Sequence, residues 1–309
     1  MKDIRDLLNI EYPIIQGGMA NIATHELVAA VSNAGGFGLL ATGGWDAKRV
    51  RNEIRLTKEL TSKPFGVNIM LLSPFAEEIS DMIIEEGIKV VTTGAGNPGI
   101  YMEKWKAAGM IVIPVVPTVA LAKRLERIGA DALVVEGSEA GGHIGNTTTF
   151  ALVPQVCDAV NIPVIAAGGI ADSRGLDAAY ILGARGVQIG TVLLASIECP
   201  IHDNYKNKIV RAKDTSTVIT GVYSGAPVRV IKNKMAKKYI ELTKNEDMDI
   251  LELEELTLGS LYKAVHEGDM DNGSIMAGQS AGLVKSIRPI KEILDDIFLK
   301  SLVGQGKLF

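Results

Sequence analysis

The sequence places one histidine among glycines, in the stretch EGSEAGGHIG at residues 136–145. An imidazole titrates near neutral pH, so His143 can donate or accept a proton at little cost. The neighbouring glycines leave room for the ring to lean into a pocket. A single histidine is more often structural than catalytic, but this one directly follows an apolar run typical of a β-strand. We therefore predict that His143 is a catalytic acid or base.

Two glycine-rich turns follow later apolar runs and suggest a phosphate site. Gly168 and Gly169 come after the run at 164–167, and Gly190 and Thr191 come after the run at 186–189. Backbone N–H groups in such turns and at helix N-termini bind phosphate, and Thr191 adds a hydroxyl donor. Tight turns also need glycine for purely structural reasons. Position and composition agree here, so we predict phosphate binding at these two turns.

Polar residues also stand at the ends of other predicted strands. Asn68 ends the third strand, and its amide offers a donor and an acceptor to the polar edge of a ring. Thr92 and Thr93 end the fourth strand. Glu136 and Glu139 resemble a paired-carboxylate site, but we favour positioning roles because no metal-ligand pattern accompanies them.

The elements that must position these residues alternate between strand and helix along residues 12–213. Near-continuously apolar strands are typical of a parallel sheet covered by helices. Eight strand–helix units predict an α/β fold, a (β/α)8 TIM barrel, with a doubly wound open sheet as the alternative. The barrel is assigned to residues 1–213 and 273–309, and residues 214–272 to a small C-terminal elaboration over the barrel mouth. The predicted strands are 12–16, 36–41, 65–70, 90–93, 111–116, 132–136, 164–167 and 186–189. The helices that follow them are expected at about 26–34, 47–61, 74–86, 99–108, 120–128, 150–160, 173–182 and within 202–213, and a closing helix at 287–302.

Composition limits the function classes. The 309 residues carry a net charge of −4, with 47% hydrophobic and 22% charged residues, typical of a compact soluble enzyme. An acidic balance argues against a nucleic-acid partner. The apolar runs are shorter than a membrane span of about 20 residues, and no signal peptide is expected. Two cysteines without metal-ligand spacing indicate a reducing, cytoplasmic setting, and we expect a homodimer and no metal site.

Several motifs in combination resemble the nitronate monooxygenase superfamily of FMN barrels. Within it, the chain is most similar to the flavin-dependent enoyl-acyl-carrier-protein reductases of the FabK type. The resemblance covers nearly the whole chain. The motifs are EAGGHIG at 139–145, PVIAAGGI at 163–170, VQIGT at 187–191, PFGVNIML at 64–71, TTGAGNP at 92–98, VRVIKN at 228–233 and GSIMAGQSAGL at 273–283.

This resemblance implies a flavin reaction. NAD(P)H would reduce FMN, and hydride would then pass to the β-carbon of a trans-2-enoyl thioester of acyl carrier protein, in fatty acid biosynthesis. His143 would polarise the thioester carbonyl or steer protonation of the α-carbon. The FMN contacts implied by the family are Gly17, Gly18, Met19, Asn68, Gly142, Gly168, Gly169, Gly190, Thr191, Met276, Gln279 and Ser280.

Other functions remain open on the same scaffold. A nitronate monooxygenase would oxidise alkyl nitronates with O₂, although Ile144 and the stretch at 228–233 favour the reductase. A non-redox phosphate-binding barrel and a non-catalytic flavin-binding module are further alternatives. The basic residues Arg229, Lys232, Lys234, Lys237 and Lys238 would attract an acidic carrier protein or the extra phosphate of NADPH, or would form a solvated face paired with the acidic stretch at 246–255.

Overall fold

The computed structural model describes residues 3–244 and 250–308, and it confirms the barrel. Eight parallel strands run in the order one, eight, seven, six, five, four, three, two. Strands one and two close the ring through a parallel bridge between Ile15 and Phe37, so the open-sheet alternative is wrong. The barrel strands are Ile14–Gln16, Gly38–Ala41, Phe65–Met70, Val90–Gly94, Ile111–Val116, Leu133–Glu136, Val164–Ala167 and Val187–Ile189.

Successive side chains along each barrel strand point alternately into the barrel and outward to the helices. Ile15, Phe37 and Ile165 belong to a buried cluster in the barrel interior. Residues of the opposite parity, such as Val135 and Val187, pack outward against the helices in a second cluster. Burial on both faces explains why the strands are nearly continuous runs of apolar residues.

The predicted helices follow the strands with small shifts at their ends. Asp46 and Asp172 cap two of them by accepting bonds from the backbone N–H of Arg49 at 2.8 Å and Arg174 at 3.0 Å. The α-helices of the barrel are His25–Asn33, Ala47–Leu60, Ala76–Glu85, Gly99–Ala107, Val119–Arg127, Thr149–Cys157, Ser173–Ile181, Asp203–Val210 and Ile290–Leu299.

The eighth place in the outer ring differs from the sequence prediction. A helix forms within the expected range 202–213, but Ile290–Leu299 is the helix that packs between the first ring helix, His25–Asn33, and the seventh, Ser173–Ile181. Tyr12 anchors it by donating to Asp295 at 2.8 Å and stacking on Phe298. The chain between strand eight and this helix is therefore an insertion within the last strand–helix unit.

A short N-terminal helix, Ile4–Leu8, was not predicted. Ile4 and Leu8 belong to the same buried cluster as the interior strand residues. They cover the end of the barrel where the strands begin, because Ile4 lies against Gly186 just before strand eight. A five-residue helix is too short to show a periodic pattern, which is why the sequence did not reveal it.

The segment 214–272 contains a hairpin and several short helices. Its strands, Thr217–Thr220 and Val228–Ile231, form an antiparallel sheet with a third strand, Gly142–His143, from the barrel loop. Ala264 and Val265 share the outer hydrophobic cluster of the barrel. Its assignment as an elaborating segment with those boundaries stays a prediction. The remaining elements between strand eight and the last helix are Thr191–Ala195, Lys234–Leu242, Ile250–Thr257, Ser260–Tyr262, Lys263–Glu267 and Gln279–Leu283.

Among the described residues, 3–244 and 250–308, no helix combines the length and hydrophobicity that crossing a bilayer requires.

The close approach of strand two to the first ring helix gives a stability prediction. A Cβ at Gly38 would come well within 3.0 Å of the Val28 carbonyl oxygen, so Gly38→Ala should lower the free energy of unfolding by about 2 kcal/mol or more. Gly94→Ala is the matched control, because it also lies in a barrel strand but has open space around it. Urea denaturation measures both. Equal midpoints for the two variants would contradict the predicted packing.

Candidate active site

A polar layer lines the barrel mouth above the apolar interior. Asn68, Thr92, Glu136 and Gln188 occupy the inward-facing positions near the ends of strands three, four, six and eight. Asn68 Nδ2 donates to Thr92 Oγ1 at 2.8 Å, which fixes the orientation of the amide. The change from apolar to polar side chains marks this end of the barrel as the place where a polar ligand can bind.

Glu136 is the only acid of this polar layer, which lies wholly within the described residues. It ends strand six, two residues beyond the interior residue Val134. Burial raises the pKa of its carboxyl to about 7, because the low-dielectric surroundings disfavour the charged form. At neutral pH the group is therefore poised between a hydrogen-bond donor and a carboxylate. Glu139 does not contribute to this shift, and its carboxylate bonds to Thr149 instead, so the two acids do not form one paired-carboxylate site.

The turn after strand seven forms an open cradle of backbone. Gly168 and Gly169 have φ angles of 94° and 81°, a conformation that favours glycine. A Cβ at Gly168 would lie 2.9 Å from the Gly137 carbonyl oxygen, whereas Gly169 is exposed at the mouth. The turn therefore has the conformation that allows a bulky anion to approach its backbone.

Strand eight leads into the second predicted phosphate turn. Gly190 precedes a short 3₁₀-helix that begins at Thr191. Thr191 Oγ1 accepts the backbone N–H of Gly278 at 2.9 Å, and the hydroxyl proton stays available for a ligand. Met19, from the loop after strand one, places its sulfur 3.4 Å from where a Cβ on Gly190 would be. The loops after strands one and eight thus meet at one side of the mouth.

His143 lies in the short strand added to the hairpin. Its backbone pairs with Val228, and the adjacent Gly142 pairs with Arg229. Gly142 has a φ of 76°, which turns the chain so that the His143 side chain is exposed. Within the described residues, no protein group forms a hydrogen bond with the His143 imidazole. The ring is therefore free to contact a ligand at the mouth.

Two charged side chains hold the loop that carries His143. Arg229 is only 6% exposed, and its Nε donates to the Ser138 carbonyl at 2.9 Å. Burial lowers the pKa of the Arg229 guanidinium, while the nearby Glu139 carboxylate opposes this effect. Glu139 in turn accepts both the N–H and the hydroxyl of Thr149, at 2.7 and 2.9 Å. The loop is therefore anchored on both sides of the barrel mouth.

The chain at 276–280 closes the site from above. Met276 places its sulfur 3.6 Å from where a Cβ on Gly142 would be. Gln279 donates its backbone N–H to the Glu139 carbonyl at 2.9 Å, and its side chain is exposed. Ser280 follows it and is buried. These residues therefore lie beside the His143 loop although they are more than a hundred positions away in the chain.

The remaining predicted contacts, Gly17 and Gly18, lie beside strands eight and three. Gly17 donates to the Ile189 carbonyl at 2.9 Å, and a Cβ at Gly18 would come 2.5 Å from Asn68 Cγ. Sequence reasoning did not identify Gln188 as a mouth residue, although a polar residue inside an apolar strand is a usable signal. It also did not reveal that Arg229 is buried, because that depends on a contact between distant segments.

The family model described as nitronate monooxygenase matches residues 2–300. The chain belongs to the nitronate monooxygenase family. It is thus a member of a family of oxidoreductases.

The chain is similar to individual relatives whose names describe three different activities. The solved structure of FabK from Thermotoga maritima is similar at 48% identity with a TM-score of 0.94, covering 99% of this chain and 97% of that one. A probable nitronate monooxygenase from Staphylococcus saprophyticus is 36% identical over 91% of this chain and 92% of its own length. A 5-hydroxy-7a-methyl-1-oxo-octahydro-1H-indene-4-carboxyl-CoA dehydrogenase from Mycobacterium tuberculosis is 31% identical over 97% and 95%.

Three of the five basic residues at 229–238 pair with acids in the structure. Arg229 is buried in the hairpin, and Lys234, Lys237 and Lys238 pair with Asp271, Glu241 and Glu252. Residues 246–249 of the acidic stretch lie outside the described residues. The observed pairs favour the solvated-face interpretation for these three lysines.

The raised pKa of Glu136 predicts a stability difference that depends on pH. The folded state keeps its proton up to about pH 7, whereas the ordinary value is 4.5, so ionisation destabilises the folded state as pH rises through this window. Glu136→Gln stays neutral. Its free energy of unfolding should exceed that of the wild type by about 2–3 kcal/mol at pH 8 and by less than about 1 kcal/mol at pH 5.

Urea denaturation of the flavin-free protein at both pH values measures this difference. The control is Glu103→Gln, the same chemical change at an exposed position. A constant difference between Glu136→Gln and the wild type at pH 5 and pH 8 would show that this carboxyl does not titrate in that window.

Proposed function

We propose that this protein is an FMN-dependent enoyl-thioester reductase. The single observation that carries the proposal is the full-length likeness to the Thermotoga maritima FabK structure, at 48% identity. The substrate would be a trans-2-enoyl thioester of acyl carrier protein in fatty acid biosynthesis, with NAD(P)H as co-substrate. The proposal includes a cytoplasmic homodimer as the working form.

The barrel mouth fits FMN in its backbone conformation and its donors. Gly168, Gly169, Gly190 and Thr191 would hold the phosphate, because the open turn and the threonine hydroxyl suit an anion. The ring side of the site would be formed by groups from three loops and from strand three. These are Gly17, Gly18, Met19, Asn68, Gly142, Met276, Gln279 and Ser280. Bound FMN supplies the hydride-transfer chemistry between NAD(P)H and the substrate.

His143 would act on the thioester from the edge of the mouth. A donated N–H stabilises negative charge that develops on the thioester oxygen, and the same proton can reach the α-carbon. The bonds from Arg229 and Glu139 keep the loop in place, so little reorganisation is needed when the substrate binds.

The rim of the mouth suits a substrate with an apolar chain. Leu72, after strand three, is 76% exposed, and Ile100, after strand four, is 75% exposed. Val222, in the turn of the hairpin, is 68% exposed. Exposed apolar side chains around a polar pocket favour a ligand with an apolar part. An acyl chain matches this distribution.

Nitronate monooxygenase activity is the second candidate. The 36% identity to the probable nitronate monooxygenase of Staphylococcus saprophyticus favours it. This reaction would use the same flavin and O₂, and it needs no long acyl group. The two candidates therefore differ in their substrates while sharing one cofactor site.

One pair of assays separates the two candidates. Purified enzyme is mixed with NAD(P)H and crotonyl or longer enoyl thioesters, and in parallel with an alkyl nitronate and O₂. We expect NAD(P)H oxidation that depends on the enoyl thioester. Nitronate-dependent oxygen uptake without any NAD(P)H oxidation by enoyl thioesters would reject the reductase proposal in favour of nitronate monooxygenase activity.

Loss of the imidazole should affect turnover more than cofactor binding. His143→Ala should keep the visible flavin spectrum while lowering kcat for the enoyl thioester by about 100-fold, the usual scale for an acid–base group. His143→Gln keeps a hydrogen-bond donor, so partial recovery would assign the effect to carbonyl polarisation. Wild-type turnover in His143→Ala would remove this residue from the mechanism.

A side chain in the glycine cradle should hinder FMN retention. Gly169→Val introduces a β-branched side chain where the phosphate would approach the backbone, and flavin content per chain should fall sharply. Gly129→Val is the matched control, because Gly129 also has positive φ, 104°, and lies in the turn before strand six. Full flavin occupancy in Gly169→Val, measured by absorbance after gel filtration, would rule out this phosphate position.

A further inference from the structure

A second cleft lies on the outer face of the protein, beside the hairpin that pairs with His143. It has a volume of about 420 Å³ and lies between the end of helix Asp203–Val210 and the end of strand Val228–Ile231. Three cations line it, Lys208, Arg211 and Lys232, together with the hydroxyl residues Thr215 and Ser216. Its lining contains no carboxylate.

The three cations have no acidic partner in the described part of the chain, in contrast to Lys234, Lys237 and Lys238 of the neighbouring helix. Among the described residues, no carboxylate lies within ion-pair distance of Lys208, Arg211 or Lys232. By contrast, the nearby Lys234 pairs with Asp271 at 2.7 Å. A concave site with three uncompensated cations and two hydroxyls is suited to a phosphate group, which accepts several charge-assisted hydrogen bonds.

The hairpin sets the distance between this cleft and His143. Val228 pairs with His143, and Lys232 continues the ladder by donating to the Ser216 carbonyl at 2.8 Å. Four residues of extended chain separate Val228 from Lys232, which places the cleft roughly 13 Å from the histidine strand at about 3.3 Å per residue.

We propose that this cleft binds the phosphate end of a pantetheine thioester whose acyl group lies at His143. The inference rests on the proposed function, because it assigns a binding site to the phosphate group of that substrate. Pantetheine contains about as many backbone bonds as four to five residues, so it spans roughly 14–16 Å when extended. This length matches the separation of the cleft from His143. The phosphate has two sources with the same chemistry, coenzyme A and the prosthetic group of acyl carrier protein.

Three thioesters test the cleft when they share one acyl group. Crotonyl-pantetheine has no phosphate, crotonyl-CoA has a mobile phosphate handle, and a crotonyl carrier protein has a tethered one. The variant is Lys208→Gln/Arg211→Gln/Lys232→Gln, and the matched control, Lys234→Gln/Lys237→Gln/Lys238→Gln, removes the same charge from paired lysines. Flavin content and circular dichroism verify that both variants fold.

We expect the cleft variant to raise KM about tenfold for the phosphate-bearing thioesters, with kcat within a factor of two. Turnover of crotonyl-pantetheine should stay within twofold of the wild type. A KM effect for CoA alone, for the carrier alone or for both supports the cleft and identifies the source of the phosphate. An equal loss with crotonyl-pantetheine, an equal loss in the control variant, or an effect confined to the KM of NADPH would overturn it.

Direct binding separates this inference from the proposed function. Isothermal titration of CoA into the flavin-loaded wild type and the cleft variant measures phosphate recognition without turnover. If the wild type reduces no enoyl thioester, but the cleft variant binds CoA more weakly than the wild type does, the proposed function is wrong and the phosphate site is supported. If it reduces enoyl thioesters and the variant binds CoA as tightly as the wild type, the cleft alone is wrong.

Discussion

The antiparallel pairing of residues 142–143 with 228–229 determines where His143 lies at the barrel mouth. A glycine-rich loop of this length has many conformations, and fixing it costs conformational entropy. Pairing with the hairpin offsets that cost through backbone hydrogen bonds to part of the loop. Arg229 adds a bond to the Ser138 carbonyl on the same side. The position of His143 thus depends on a segment that lies after strand eight, outside the repeating strand–helix units.

A second constraint is the change of environment along the barrel axis. The lower interior is apolar and is covered by the N-terminal helix, whereas the upper layer carries Asn68, Thr92, Glu136 and Gln188. Burial raises the pKa of the Glu136 carboxyl to about 7, so at neutral pH this group exchanges readily between its protonated and ionised forms. A polar layer on an apolar floor lets a planar ligand meet hydrogen-bonding groups at its edge while water is excluded from below. This layering leaves hydrogen-bonding groups facing the mouth, as the proposed flavin site requires.

The repeating part of the fold could be predicted from the sequence for a clear physical reason. Each barrel strand is buried on both faces, so its apolar run is visible without knowledge of its neighbours. Glycines at strand ends were equally visible, and the structure gives Gly168 and Gly169 the backbone conformation that glycine permits. The five-residue helix at the barrel floor and the strand at His143 were not predicted, because each depends on contacts with distant segments.

The prediction for the eighth ring helix failed for a related reason. Local periodicity correctly indicated a helix at Asp203–Val210, but it carries no information about which helix packs beside His25–Asn33. That place belongs to Ile290–Leu299, anchored through Tyr12 and Asp295. Because the chain must return to the barrel to close its ring, the segment between strand eight and this helix is tethered at both ends. The hairpin and the outer cleft lie within that tethered segment, so a change in its length would move the histidine strand and the basic cleft together.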